Sequence, residues 1–169
     1  REYVLGLELA LIGGGKLFVG RHTVKGVTGL DVTGLIVGSE GTLAVVTELV
    51  LKLLPKPQAV STFLAQFPTT LAACEAVTGL IRHGTRPRTM ELIDPTALAH
   101  LRRAGVPALP SGAGALLLVE LDGEADAVEA ETLRAAAACE AAGAVELLVA
   151  TDAARRRQMW EMRRRVSPT

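Results

Sequence analysis

From residue 59 onward the sequence alternates in a way that few folds can satisfy. The runs "VSTFLAQF" (60–67), "TMELI" (89–93), "ALLLVEL" (115–121) and "VELLVA" (145–150) are apolar and of strand length. Helix-length segments at 69–83 and 124–142 lie between the first and second runs and between the third and fourth. Each helical segment is followed by a glycine, Gly84 and Gly143, where a left-handed C-cap wants one. Asp94-Pro95 reads as an N-cap with proline at the first helical position, opening a short inserted helix to about residue 103. With that insert set aside, the order is β-α-β-β-α-β. The expectation is an α+β, ferredoxin-like domain of four antiparallel strands with two helices on one face. A tail helix over 152–166, containing "RRRQMWEMRRR", lies outside that repeat.

The first third is built differently. "YVLGLELALI" and "KLFVG" flank Gly13, Gly14 and Gly15 and predict a β-hairpin. Residues 21–37 are rich in turn formers, with a short helical turn over 31–37. The stretch "GSEGTLAVVTELVLKLLPKP" (38–57) sets a glycine–acid–glycine turn against an apolar run, and 43–55 reads as a strand ending at Pro55. Pro55-Lys56-Pro57 is a stiff connector, which places a domain boundary between 1–57 and 58–169.

Composition narrows the classes of function. A chain of 169 residues, 49% of them apolar, can bury a true core. Its formal net charge of zero argues against nucleic acid as a partner, because phosphate binding draws on excess positive charge. Aromatics at 3% argue against stacking platforms for single strands. Glu8 and Glu120 interrupt the best apolar runs, so no membrane span is predicted. No signal peptide is recognised. Cys74 and Cys139 lie on apolar helical faces without a CxxC spacing and read as core residues of a reducing compartment. His22, His83 and His100 form no metal-ligand spacing with each other or with the cysteines and acids, so no metal site is assigned. The chain opens within a strand-like run and stops just past a helix, and it reads as a piece of a longer protein.

The glycine turn at 38–41 offers backbone rather than side-chain chemistry. Glu40 has no partner acid in the sequence for acid–base work. Glycines remove the Cβ that would hold a ligand away, so successive amides can face an anion or the edge of a ring. The spacing is not a dinucleotide fingerprint, since GxGxxG is absent and a strand follows. Taken alone, the motif is a structural turn.

Its context carries a resemblance. "VKGVTGLDVTGLIVGSEGTLAVVTE" (24–48) resembles the end of the FAD-binding domain in FAD-linked oxidases of the vanillyl-alcohol oxidase fold. The usual form there is close to K-N-x-x-G-Y-D-L followed by G-S-E-G-T-L-G-V-I-T-E. "MELID" (90–94), "LLLVELDG" (116–123) and "MWEMRRRVSP" (159–168) extend the resemblance over nearly the whole chain. It points toward D-lactate and glycolate dehydrogenases, including the flavoprotein subunit of glycolate oxidase.

The resemblance implies that Glu40, Gly41, Thr42, Leu43, Ala44, Val45 and Val46 line FAD, mostly through main-chain groups. It also implies that Arg163 grips the substrate carboxylate, with the Ser167 hydroxyl reaching the same anion. Three departures bear on this. Ala44 stands where glycine is usual, costing up to about 1 kcal/mol if the backbone there is strained. Leu30 stands for tyrosine and Gly26 for asparagine, which touches the turn at Asp31.

The implied function is that of an FAD-dependent 2-hydroxy acid dehydrogenase or oxidase, with hydride passing from substrate to flavin N5. By the same resemblance, the pyrophosphate-binding loop lies before residue 1, and the base and metal-holding histidines lie after residue 169. The isolated chain is therefore expected to be inactive, to bind FAD poorly, and to associate with copies of itself through exposed edges. Electrons would go to a quinone, a cytochrome or an electron-transfer subunit. The expected location is cytoplasmic, with peripheral attachment at the inner face of the membrane as the variant. The alternative is a non-enzymatic ferredoxin-like binding or assembly module, since fold alone does not fix function.

Overall fold

The computed structural model describes residues 1–26, 29–106 and 109–166. The chain forms two compact units, Arg1–Lys56 and Pro57–Thr169.

The first unit is a three-stranded antiparallel sheet with one short helix. β1 (Val4–Leu11) and β2 (Gly15–Gly20) form the hairpin, and Gly14 takes the positive φ of 75° that its turn needs. α1 (Val32–Ile36) is capped by Asp31, whose carboxylate accepts from the Gly34 amide at 2.8 Å. β3 (Val45–Leu51) pairs with the other side of β1, giving the order β2-β1-β3. Leu7 and Leu9 of β1 pack with Val19, Ile36 and Ala44 as the core.

β3 is shorter than the 43–55 expected. It lasts only while β1 lies opposite: Val4 pairs with Leu51, and Lys52 N donates to Tyr3 O at 2.8 Å as the final rung. Beyond that rung Leu53 and Leu54 have no ladder to join and are exposed. The outer edges of β2 and β3 pair with no strand among the described residues.

The second unit contains β4 (Ala59–Phe67), α2 (Thr70–Arg82), β5 (Thr89–Ile93), α3 (Pro95–Arg103), β6 (Ala115–Gly123), α4 (Ala125–Ala141), β7 (Glu146–Val149) and α5 (Ala153–Arg164). Its sheet has the order β5-β6-β4-β7 with every pair antiparallel, the interleaving that a split β-α-β-β-α-β chain produces. The protein is thus α+β with antiparallel sheets.

Alternate residues of the central strands feed two separate cores. Phe63, Ala65, Phe67, Leu117, Val119 and Leu121 pack against α2 and α4 through Ala73, Ala76, Leu80, Val128, Ala135 and Cys139. Leu64, Leu116, Leu118 and Ile93 face the other way, against Leu98 and Leu101 of α3 and Met159 and Met162 of α5. The sequence predicted helices on one face; α3 and α5 cover the second. The continuous apolar run of β6 is the reason, because a strand buried on both sides cannot alternate with polar residues.

Helix starts follow local chemistry. Thr69, Asp94 and Asp152 accept from the amides of Ala72, Ala97 and Arg155 at 3.2, 2.7 and 2.7 Å. Gly114 marks a close backbone approach, since a Cβ there would fall on the Pro68 carbonyl.

Candidate functional site

The turn at 38–41 has unusual backbone. Gly38, Glu40 and Gly41 have φ of 95°, 52° and 78°, and Glu40 is the one non-glycine with positive φ among the described residues. A non-glycine in that region is strained by its Cβ, and such strain persists where the surroundings or a function hold it. Internal bonds close the turn: Ser39 N donates to Ile36 O at 2.9 Å, and Thr42 donates to Ser39 O from both its amide (3.0 Å) and its hydroxyl (2.7 Å). The Glu40 and Gly41 amides donate to no described residue. Nothing lies within 4 Å of where a Gly41 Cβ would stand, so glycine serves the φ angle and leaves open space.

Beside this turn is a cleft of about 470 Å³ lined by Leu7, Ile36, Glu40, Gly41, Val46 and Leu49, among others. Glu40, Gly41, Thr42, Leu43, Val45 and Val46 are all exposed here. Ala44 differs: its side chain is buried against Leu7 and Leu9, and it has no positive φ. The replacement of glycine at this position therefore brings no left-handed strain.

The second group is on α5. Arg156, Met159, Trp160, Met162 and Arg163 recur at helical spacing and form the stripe that meets the sheet. An Arg156 terminal nitrogen reaches Val60 O at 3.5 Å. Trp160 Nε1 donates to Glu120 Oε2 at 2.7 Å, and the same oxygen accepts from Thr62 Oγ1 at 2.8 Å. Arg88 approaches from the strand edge, 3.8 Å from Glu120 Oε1 and 3.6 Å from Asp122 Oδ2. Arg163 is half-buried and meets Glu91 Oε2 with one terminal nitrogen at 3.2 Å; its other nitrogens have no partner among the described residues.

The remaining arginines face outward, as a run of neighbours on a helix must. Arg155 donates to Gln158 at 2.7 Å, while Arg164 and Arg165 hold Glu161. Hydrogen bonding from Arg164, followed by its charge, lowers the Glu161 pKa. Ser167 lies outside the described residues. Sequence reasoning missed Glu91, Glu120, Thr62 and Arg88. One signal was available: a half-buried indole needs an acceptor for its N–H, and Glu120 is the acid inside the most apolar strand.

The described histidines do not gather with other ligands. His22 stacks on Phe18 at 4.5 Å, His83 caps α2 and His100 sits in α3. No group of three or more His, Cys, Asp or Glu that could hold a metal occurs among the described residues. No described helix is long and apolar enough to cross a membrane.

The chain belongs to the FAD-linked oxidases: residues 56–169 match the model of the FAD linked oxidases, C-terminal domain. The glycolate oxidase subunit GlcD of Bacillus subtilis (strain 168) is 39% identical over 150 residues, covering 89% of this chain and 32% of that protein. D-lactate dehydrogenase of Anaerostipes hadrus is 26% identical over 170 residues, covering 96% of this chain and 36% of that protein. Among solved structures, 4-ethylphenol oxidase from Gulosibacter chungangensis matches with a TM-score of 0.69 at 16% identity, over 98% of this chain and 38% of that one, a likeness of fold.

The chain thus spans about one third of the length of these curated relatives. FAD is the cofactor of the complete protein. The residues here fit one side of such a group: free amides at Glu40 and Gly41 suit polar ring or phosphate oxygens, and the apolar cleft at Val46 and Leu49 suits a flat ring.

Proposed function

We propose that the complete protein is an FAD-dependent dehydrogenase or oxidase of small 2-hydroxy acids such as glycolate or D-lactate. In this reading residues 1–57 are the end of its FAD-binding domain and 58–169 the larger part of its substrate domain. The observation that carries the reading is the Arg163 guanidinium, held on the sheet side of α5 by one contact and open at its other nitrogens. A planar guanidinium takes a carboxylate through two parallel hydrogen bonds, which fixes the adjoining carbon in space. FAD, when bound, supplies the two-electron acceptor for the hydride that leaves that carbon.

This chain's share is binding and orientation. The Glu40 and Gly41 amides and the cleft to Val46 hold one side of the cofactor. Arg163 anchors the acid, with Ser167 as a second donor. Fixing the substrate in this way converts an encounter into a positioned reaction. The base that takes the hydroxyl proton is assigned to residues outside this chain, and the isolated chain is accordingly inactive. Electrons leave to a separate acceptor or electron-transfer subunit, and the location is cytoplasmic or peripheral to the inner membrane face. Membership in an FAD-linked family leaves the non-enzymatic binding-module reading without support.

The test is anaerobic mixing of the complete flavoprotein with glycolate or D-lactate, following flavin absorbance. Bleaching that is fast in the parent and slowed at least tenfold in Arg163→Ala at equal FAD content supports the reading. Bleaching at the parental rate in Arg163→Ala removes Arg163 from the site.

A further inference from the structure

We infer that Glu91 and Glu120 are positioning residues that fix the rotation of α5 and so aim Arg163 at the substrate carboxylate. The inference rests on the 2-hydroxy acid reading above and adds the machinery behind its arginine.

α5 meets the sheet through Met159 and Met162, both buried. Methionine contacts are apolar and adaptable, and they resist rotation of a helix about its axis only weakly. Directional contacts supply what they lack, and the two shortest are shorter than the 3.5 Å reach of Arg156 to Val60 O. Glu120 on β6 takes the Trp160 indole N–H at 2.7 Å, and Glu91 on β5 takes a terminal nitrogen of Arg163 at 3.2 Å. Trp160 and Arg163 are three residues apart, hence on one face of the helix.

The two acids share one face of the sheet. Thr89 is paired with Glu120 and Glu91 with Leu118, so the acids sit on adjacent strands two residues apart along the register. The helix is therefore held at two points about one turn apart.

The anchors differ in strength. Glu120 is nearly buried, and its Oε2 is also bonded by Thr62, whose side chain is 99% buried on β4. A charged acceptor with two short bonds in a desolvated setting is held firmly. Glu91 and Arg163 are each about a third exposed and share one N–O contact. That contact steers the guanidinium without occupying the paired donors a carboxylate needs. A surface ion pair with no functional role would have the same length but would leave substrate affinity untouched.

The experiment uses the complete FAD-loaded enzyme with glycolate as probe, and compares Arg163→Ala, Glu91→Ala, Glu91→Gln and the Arg163→Ala/Glu91→Ala double variant. Glu91→Ala is expected to raise KM about tenfold with kcat within about twofold, and Glu91→Gln, which keeps an acceptor, to recover most of that. The double variant should be no worse than Arg163→Ala alone, because Glu91 acts through Arg163. FAD content equal to the parent shows that each variant has folded.

If Arg163→Ala raises KM while Glu91→Ala does not, or if the two effects add, the role of Glu91 is overturned and the carboxylate reading stands. If Arg163→Ala itself leaves KM unchanged, the carboxylate reading falls and takes this inference with it. The Glu120 half is read in the same complete enzyme: Glu120→Ala at parental FAD content should raise KM for glycolate with kcat within about twofold, and Glu120→Gln, which keeps an acceptor for Trp160, should recover most of that. A parental KM in Glu120→Ala overturns that half.

Discussion

Trp160 and Glu120 are separated by 40 residues of chain and joined by a 2.7 Å hydrogen bond from the indole N–H to the carboxylate Oε2. The bond crosses from α5 to the centre of the sheet, and Thr62 Oγ1 shares the same oxygen. Removing the acid strands two donors at once. Glu120→Ala should lower unfolding free energy by about 2–3 kcal/mol in urea denaturation, against less than about 1 kcal/mol for Glu120→Gln. Equal losses in both variants would show that the negative charge, rather than the acceptor, holds the contact.

Two glycine-to-alanine changes should have opposite signs. A Cβ on Gly114 would collide with the Pro68 carbonyl and lie 2.6 Å from the carbonyl carbon, both parts of rigid backbone. Gly114→Ala is expected to cost roughly 3 kcal/mol. Gly79, inside α2, has nothing within 4 Å of its Cβ position. Gly79→Ala should stabilise the chain by about 0.5–1 kcal/mol, because alanine gives up less backbone freedom on folding. Thermal melts of the two variants beside the parent decide the matter.

The two thiols should part company under an alkylating or disulfide reagent. Burial pushes the Cys139 thiol up to about 11, whereas Cys74, expected in the core, is exposed on the outer side of α2. A raised pKa keeps the thiol neutral, and the neutral form does not attack. At pH 8 the native chain should release one equivalent of chromophore from a disulfide reagent, and two after denaturation. Two fast equivalents from the native chain would mean that the α4 side of the sheet opens readily.

The start of α5 should respond to acid. The Arg155 amide bonded to Asp152 holds that carboxyl below its ordinary value of 3.8. A depressed folded pKa gives stability that is present above the unfolded value and lost as pH falls through the folded one. The Asp152 carboxyl carbon shift should therefore titrate with a midpoint below 3.8, and Asp152→Asn should remove that part of the chain's acid sensitivity. A midpoint at or above 3.8 would show the cap to be open in solution.

Much of the fold was legible because its signals are local. Asp94-Pro95 and Thr69 announce helices through their own side chains, and Gly84 and Gly143 end them with φ of 76° and 89°. The strand order followed from the alternation of elements. The length of β3 was not legible, because it depends on how far β1 extends opposite it. Nor was the placing of α3 and α5, which required reading β6 as buried on both faces. At the candidate site, the glycines of 38–41 gave the turn, but the left-handed backbone of Glu40 is imposed by the residues around it. Arg163 was singled out only through the resemblance of its helix to the family, whereas sheet register and α5 packing bring Glu91 to Arg163 and Glu120 to Trp160, and neither contact is written within a short window of sequence.

β6 supplies both hydrophobic cores of the second unit from one strand, Leu117, Val119 and Leu121 to one side, Leu116 and Leu118 to the other. Deleting or inserting a single residue there would exchange the two sets, carry Glu120 to the α2–α4 side and turn an aliphatic neighbour toward Trp160. Substitutions within this strand can be absorbed one side chain at a time, but a change of its length cannot. The phase of nine consecutive residues is thus a shared inheritance of two cores and one candidate site. Descendants of this gene should vary in the spelling of that segment and hold its residue count.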